Sequence, residues 1–164
     1  GGFGNLRHGQ DIEFSNRIKR AGGKISFIEN ALVYHRRRSS IKQFAKQVFN
    51  WGVARVNLGK IDNNMLELIH FLPAFSLFVV FGTLTFTFYG GWNYFIVLAV
   101  LMIPLLLLSI NGSIKTKNHK VFLLLMIIIP IQIFGYGIGF IQAFIRRFIF
   151  GGKETVGFKK NYYK

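Results

Sequence analysis

The chain has 164 residues and no Cys, so neither a disulfide nor a thiolate site is possible within it. It carries 21 Lys and Arg against 6 Asp and Glu, for a formal charge of +15, while 51% of its residues are hydrophobic. This combination favours acidic membrane lipid and phosphorylated ligands as partners and argues against nucleic acid. The opening residues Gly1-Gly2-Phe3-Gly4 are typical of the interior of a protein, so we expect the chain to be a C-terminal fragment.

The polar first part predicts one helix followed by two strands. Apolar residues at helical spacing predict a helix from Gln10 to Ala21, which Gly22-Gly23 would end. Polar and apolar residues alternate from Lys24 to Ile28, as in a half-buried strand, and Ala31 to His35 is a second extended piece after a turn.

The helical period returns from Ser39 to about Leu58, with a wide apolar face and a Lys-bearing polar face. Such a helix suits the membrane interface just before a membrane region. An ordinary surface helix packed on a domain explains the pattern equally well. We treat residues 39–64 as an amphipathic helix and linker.

Residues 65–150 form the predicted membrane region, and residues 151–164 a short basic tail. Two segments, about 66–89 and 92–110, are long and apolar enough to cross a bilayer, and only Gly90-Gly91 separates them. That turn has no Lys or Arg, whereas the flanking regions are rich in both, which places the flanks in the cytoplasm. The chain is therefore expected in the cell (inner or plasma) membrane, with its polar, basic first part in the cytoplasm.

The third apolar segment, about 121–150, gives conflicting signals. Its hydropathy predicts a crossing, but Arg146 and Arg147 at its end favour a return to the cytoplasmic side. We expect it to be membrane-embedded and leave its exit side open. The run Gly135-x-Gly137-x-Gly139 lies inside this segment, where close helix packing explains it better than a nucleotide loop.

Asp11 is the first candidate for chemistry. If the helix begins near Gln10, Asp11 shares a side with Phe14 and Ile18 and should face a pocket. In that position it could act as a general base toward a hydroxyl. The structural alternative is an N-cap that accepts hydrogen bonds from free backbone N–H groups.

Several motifs in order resemble the C-terminal half of a family-2 glycosyltransferase with a GT-A fold. They are Gly1-Gly2-Phe3, then GQDIEFSNRIKRAGGKISF, ALVYHRRRSS and KQVFNWG. The resemblance implies an α/β fragment in residues 1–38, ahead of the α-helical transmembrane region. It also implies that Asp11 is the catalytic base. Gln10, which replaces the first acid of the acidic pair, is expected to bind substrate together with Gly2 and Phe3 of the preceding loop.

The segment Gln47-Val48-Phe49-Asn50-Trp51 resembles the Q-x-x-R-W motif of processive members of that family. The resemblance implies that Gln47 and Trp51 help to frame the acceptor site. Asn50 stands where the motif has Arg, which suits a single-addition enzyme better than a polymer synthase.

The run His35-Arg36-Arg37-Arg38 offers candidate ligands for a diphosphate and a metal ion. Arginine makes planar, charge-assisted hydrogen bonds to phosphate oxygens, so Arg36 and Arg38 are candidates for binding the donor diphosphate or a lipid phosphate. The resemblance makes His35 a candidate metal ligand. The commoner alternative is a solvated or lipid-facing basic run.

The resemblance implies inverting transfer of a sugar from a nucleotide-sugar donor to a lipid-linked or cell-surface glycan acceptor, assisted by Mg or Mn. The D-x-D metal motif of that family is absent from these 164 residues, so the metal would be bound mainly by an upstream half. The alternative function is a non-enzymatic basic membrane anchor, scaffold or small transporter subunit. That alternative explains the charge and the apolar segments, but gives no reason for the spacing of Asp11, Gln47 and Trp51.

Overall fold

A computed structural model describes residues 2–4, 6–34, 39–90 and 93–158. The α-helices in these ranges are, in chain order, α1 (Gln10–Arg20), α2 (Ile41–Ile61), α3 (Leu72–Gly90), α4 (Asn93–Thr116) and α5 (Lys120–Phe144). Two 3-10 turns, Asn63–Met65 and Leu68–Phe71, join α2 to α3. A π-helical stretch, Ile145–Ile149, extends α5.

The expected α/β fragment is wrong, because no strand forms anywhere in the described ranges. The two predicted strands, Lys24 to Ile28 and Ala31 to His35, are irregular and exposed as far as residue 34. Phe27 is 92% exposed and Tyr34 is 97% exposed. Alternation predicts which side of a strand is apolar, but a strand also needs a hydrogen-bonded neighbour, and no segment of the described chain supplies one.

The polar-part helices are confirmed close to their predicted bounds. Gly9 precedes α1 with a φ of 80°, a left-handed conformation that glycine adopts without strain. A Cβ at Gly9 would also lie 3.0 Å from Leu58 Cδ1, so the entry to α1 rests directly on α2. The start of α2 is capped by Ser40, whose Oγ accepts a hydrogen bond from the backbone N–H of Gln43 at 3.2 Å.

Within the described ranges, three helical stretches are long and apolar enough to cross a membrane: Leu68–Gly90, Tyr94–Thr116 and Lys120–Ile149. The chain is therefore a multi-pass membrane protein with apolar surface suited to lipid. The second stretch runs past the predicted end at residue 110, because no Pro follows Ile110 and the helix continues to Thr116.

The core lies where α2, α5 and the start of α3 meet. Its buried residues are Val53, Val56, Ala74, Phe140 and Ala143. The glycines of α5 allow this close approach: a Cβ at Gly139 would overlap the carbonyl oxygen of Phe49, and one at Gly137 would lie 2.6 Å from that of Pro73. Close helix packing by this glycine run is confirmed.

Candidate functional site

The loop containing Gly2 and Phe3 is fixed against α1. Arg17 Nη2 donates to the Gly2 carbonyl oxygen at 2.6 Å, and Gln10 Nε2 donates to the Gly4 carbonyl oxygen at 3.1 Å. The Phe3 ring packs on Phe14 with 5.1 Å between centroids, although Phe3 remains 66% exposed. Three of the predicted substrate-binding residues, Gly2, Phe3 and Gln10, therefore lie together at the start of the helix that carries Asp11.

Asp11 lies in the first turn of α1 and is exposed. The expectation that it faces a pocket is wrong for the described residues, and so is the N-cap alternative, because Gly9 occupies that position and provides no side-chain cap. Asp11 is therefore an exposed carboxylate next to the loop that hydrogen bonds from Gln10 and Arg17 hold in place.

Glu13 is the buried acid of α1, and it was not among the predicted site residues. It is 8% exposed, and its Oε1 lies 2.6 Å from Arg17 Nε. The second carboxylate oxygen, Oε2, is buried without a hydrogen-bond partner, and a Cβ at Gly4 would lie 3.3 Å from it. The loop therefore returns over the Glu13 face of α1 and buries it. The i, i+4 spacing of Glu13 and Arg17 was the signal that could have indicated this pair.

Asp62 ties α1 to the end of α2. Its Oδ2 accepts a hydrogen bond from Asn16 Nδ2 at 2.8 Å and lies 3.1 Å from Arg20 Nη1, while its Oδ1 accepts from the backbone N–H of Asn64. These interactions favour the ionised form, and the hydrogen bond from Asn16 is the largest cause of the lowered pKa of Asp62. The link fixes α1 beside the C-terminal half of α2.

Gln47 and Trp51 lie on the N-terminal half of α2. Gln47 is half-buried and Trp51 is 46% exposed, so both present side-chain surface. The entry to α1 contacts α2 at Ala54 and Leu58. Trp51 precedes Leu58 by about two turns, or about 10 Å of helix axis. The structure thus places Gln47 and Trp51 on the N-terminal half of α2, while α1, which carries Asp11, packs against the C-terminal half of the same helix.

The C-terminal tail, residues 153–158, lies on α2 and is hydrogen-bonded to two buried asparagines. Asn57 Nδ2 donates to the Thr155 carbonyl oxygen at 2.8 Å, and the Thr155 N–H donates to Asn57 Oδ1 at 3.3 Å. The Phe158 N–H donates to Asn50 Oδ1 at 2.9 Å. No pattern in the sequence predicted that the tail would cover these two asparagines.

His35, Arg36 and Arg38 lie outside the described residues, so their predicted roles stay predictions. The described ranges contain no group of three His, Asp or Glu side chains able to bind a metal ion.

No family model matches the chain, and neither a curated protein nor a solved structure with significant similarity was found.

Proposed function

We propose that the chain carries the acceptor side of a membrane-bound inverting glycosyltransferase. The observation that carries the proposal is the unit formed by the loop Gly2–Gly4 and the start of α1. Hydrogen bonds from Gln10 and Arg17 hold the loop, and Asp11 stands open beside it. A shaped backbone loop next to an unpaired carboxylate is suited to receive a hydroxyl and remove its proton.

In the proposed reaction an acceptor hydroxyl attacks the anomeric carbon of the donor sugar. A new C–O bond forms on one face as the bond to the diphosphate breaks on the other, so the configuration inverts. The electron pair of the breaking bond leaves with the diphosphate, and the hydroxyl proton passes to the Asp11 carboxylate. No hydrogen bond or ion pair engages Asp11 among the described residues, so its oxygens are available to accept that proton.

The position of α2 supports a lipid-linked or cell-surface glycan acceptor. This helix packs against α5 and the start of α3, both parts of the apolar region, through Val53, Phe140 and Ala74. Through Asp62 it also holds α1. Asp11, which lies on α1, would therefore be near the headgroup layer, where the polar end of a lipid-linked acceptor lies. We place this part of the enzyme at the cytoplasmic face of the cell membrane.

The donor and its metal ion require residues beyond those described here. The chain has only two Asp residues, Asp11 and Asp62, so a D-x-D motif for Mg or Mn must come from elsewhere. The irregular segment 24–34 supports an additional contact, because Phe27, Leu32 and Val33 are 92%, 77% and 89% exposed. Apolar side chains this exposed mark a surface that another part of a protein covers.

The second candidate is a non-enzymatic basic membrane anchor. The exposure of Asp11 favours it, because no described side chains enclose the carboxylate in a dry cleft. It predicts that neither Asp11 nor its neighbours affect any sugar transfer.

The deciding experiment compares Asp11→Asn with Glu29→Gln in the protein expressed from its full reading frame. Glu29 is an exposed acid on the irregular segment, so its substitution is a matched loss of one carboxylate. Membranes are incubated with radiolabelled UDP-glucose, UDP-N-acetylglucosamine or GDP-mannose, and label in the lipid and glycan fractions is measured.

We expect Asp11→Asn to lower transfer by about 10²- to 10⁴-fold, the usual contribution of a general base, while Glu29→Gln transfers like wild type. Both variants should remain in the membrane pellet after carbonate washing. Transfer by Asp11→Asn at the wild-type rate would remove Asp11 from the base role. Absence of transfer from all three donors by the wild type would favour the anchor.

A further inference from the structure

The contact between the tail and α2 constrains how the chain crosses the bilayer. Asn57 exchanges two hydrogen bonds with the backbone of Thr155, and Asn50 accepts one from Phe158. Phe158 also packs edge-on against Phe49, with 5.1 Å between ring centroids. Residues 50–57 and residues 155–158 therefore lie on the same side of the membrane.

Charged groups around this contact place it outside the hydrocarbon core. The backbone N–H of Arg7 donates to Glu154 Oε1 at 3.3 Å, next to Thr155 in sequence. Lys60 lies one turn beyond Asn57 with its Nζ 4.7 Å from the Phe148 ring centroid, and Asp62 pairs with Arg20. Each charge at the bilayer centre costs about 3 kcal/mol or more, so a group of them must lie at the headgroup level.

The helix α2 does not itself cross. It carries Lys42 and Lys46 near its start and Lys60 at its end, and it is not among the described helices apolar enough to span. A helix with cations at both ends and an apolar face against the membrane region lies along the interface. Crossings between α2 and the tail can therefore come only from α3, α4 and α5.

Three crossings would put the tail on the opposite side from α2, and the observed hydrogen bonds forbid that. We propose that α3 and α4 cross the bilayer while α5 stays in the leaflet on the α2 side, with both of its basic ends in the same headgroup layer. The partner of α5 is thus the lipid headgroup layer on the α2 side of the membrane. The inference is independent of any catalytic role.

Packing identifies α5 as the helix that does not cross. Contacts advance together along α2 and α5: Gly135 lies by Ala45 and Val48, Gly139 by Phe49, and Phe148 under Lys60. The C-terminal half of α5 thus runs alongside α2 in the same direction and shares its orientation. A helix beside an interfacial helix lies along the membrane surface.

Charge supports the same assignment. Lys120 begins α5, and Arg146 and Arg147 follow its end, so cations stand at both of its ends. From Leu68 to Ile114, by contrast, there is no Asp, Glu, Lys or Arg, which suits a hairpin whose turn lies on the far side. The anionic headgroups of one leaflet attract the cations at both ends of α5.

The absence of native Cys makes the test direct. Single-Cys variants Ser39→Cys, Lys115→Cys, Lys153→Cys and Tyr89→Cys are placed at exposed positions before α2, at the end of α4, in the tail and at the end of α3. Each is treated with a membrane-impermeant maleimide in sealed right-side-out vesicles and in inverted vesicles, and again after detergent.

We expect the first three thiols to react in one vesicle orientation and Tyr89→Cys in the other. Reaction of Lys153→Cys in the same orientation as Tyr89→Cys would show that α5 crosses and would overturn the proposal. Reaction of Lys115→Cys together with Tyr89→Cys would overturn it as well, because α4 would then not cross.

A crosslink provides a second measurement that does not depend on sidedness. The double variant Arg7→Cys/Lys153→Cys is treated in membranes with a short bis-maleimide, and Tyr89→Cys/Lys153→Cys is the control. We expect an intramolecular link in the first pair and none in the control. A link in the control pair, or failure of the first pair although both of its thiols react with a monofunctional maleimide, contradicts the placement of the tail.

Discussion

The Gly52→Ala substitution tests the contact between α2 and α5 on which the whole arrangement depends. A Cβ at Gly52 would overlap the carbonyl oxygen of Tyr136 and lie 2.7 Å from the backbone nitrogen of Phe140. Both obstacles are backbone, so no rotamer change relieves them and the helices must separate. Overpacking of this kind costs about 1–3 kcal/mol, and we expect the upper end here. The higher helix propensity of Ala stabilises the helix by about 1 kcal/mol, which offsets part of this cost.

The net loss should therefore be about 1–2 kcal/mol, which corresponds to a fall in Tm of about 3–8 °C for a chain of this size. The measurement is the fraction of detergent-solubilised protein that stays monodisperse on size exclusion after heating. Gly82→Ala is the matched control, because Gly82 is helical and a Cβ there meets nothing within 4 Å. If Gly52→Ala and Gly82→Ala both melt at or above the wild-type temperature, α2 and α5 do not approach as closely as described.

Two further predictions concern the polar contacts that hold the tail and α1. Asn57→Ala removes both hydrogen bonds to Thr155 at a buried position, a loss of about 1–3 kcal/mol, and should speed trypsin cleavage at Lys153 relative to the exposed control Asn63→Ala. Equal cleavage rates for the two variants would mean that the tail is held by other contacts. The pKa of Asp62 in the folded chain lies below its ordinary value of 3.8, so its stabilising effect is present above that pH and is lost as the pH falls through the lower folded value. Thermal stability measured against pH should therefore fall less below pH 3.8 in Asp62→Asn than in wild type, and identical profiles would contradict the link to α1.

Periodic patterns in the sequence predicted the helices well because a helix is a local structure. The spacing of Phe14 and Ile18 gave α1, and the uncharged stretches gave the apolar helices. The glycine run of α5 was also interpretable, because a residue without a side chain inside an apolar helix marks a close approach by another backbone. In each of these cases the signal and the structure lie within the same few turns.

The predictions that failed depended on partners distant in sequence. Alternation from Lys24 to Ile28 predicted a strand, but pairing needs a second strand that the described chain does not provide. Burial of Asp11 was inferred from the apolar stripe of α1, whereas the returning loop packs Phe3 on Phe14 and buries Glu13, and Asp11 stays exposed. The hydrogen bonds between Asn57 and the tail join residues that precede and follow the apolar helices in sequence. No local pattern reveals such a contact.

Asn50 shows how such a distant contact changes the interpretation of a motif. Asn50 stands where the Q-x-x-R-W motif has Arg, and a single-addition enzyme was predicted from that difference. In the structure Asn50 is 3% exposed and its Oδ1 accepts the Phe158 N–H, while a Cβ at Gly157 would overlap the same oxygen. An Arg side chain is longer and lacks an acceptor, so it could neither fit there nor accept that hydrogen bond. Asn50 is thus explained by its hydrogen bond to the tail, and the prediction of a single-addition enzyme no longer follows from it.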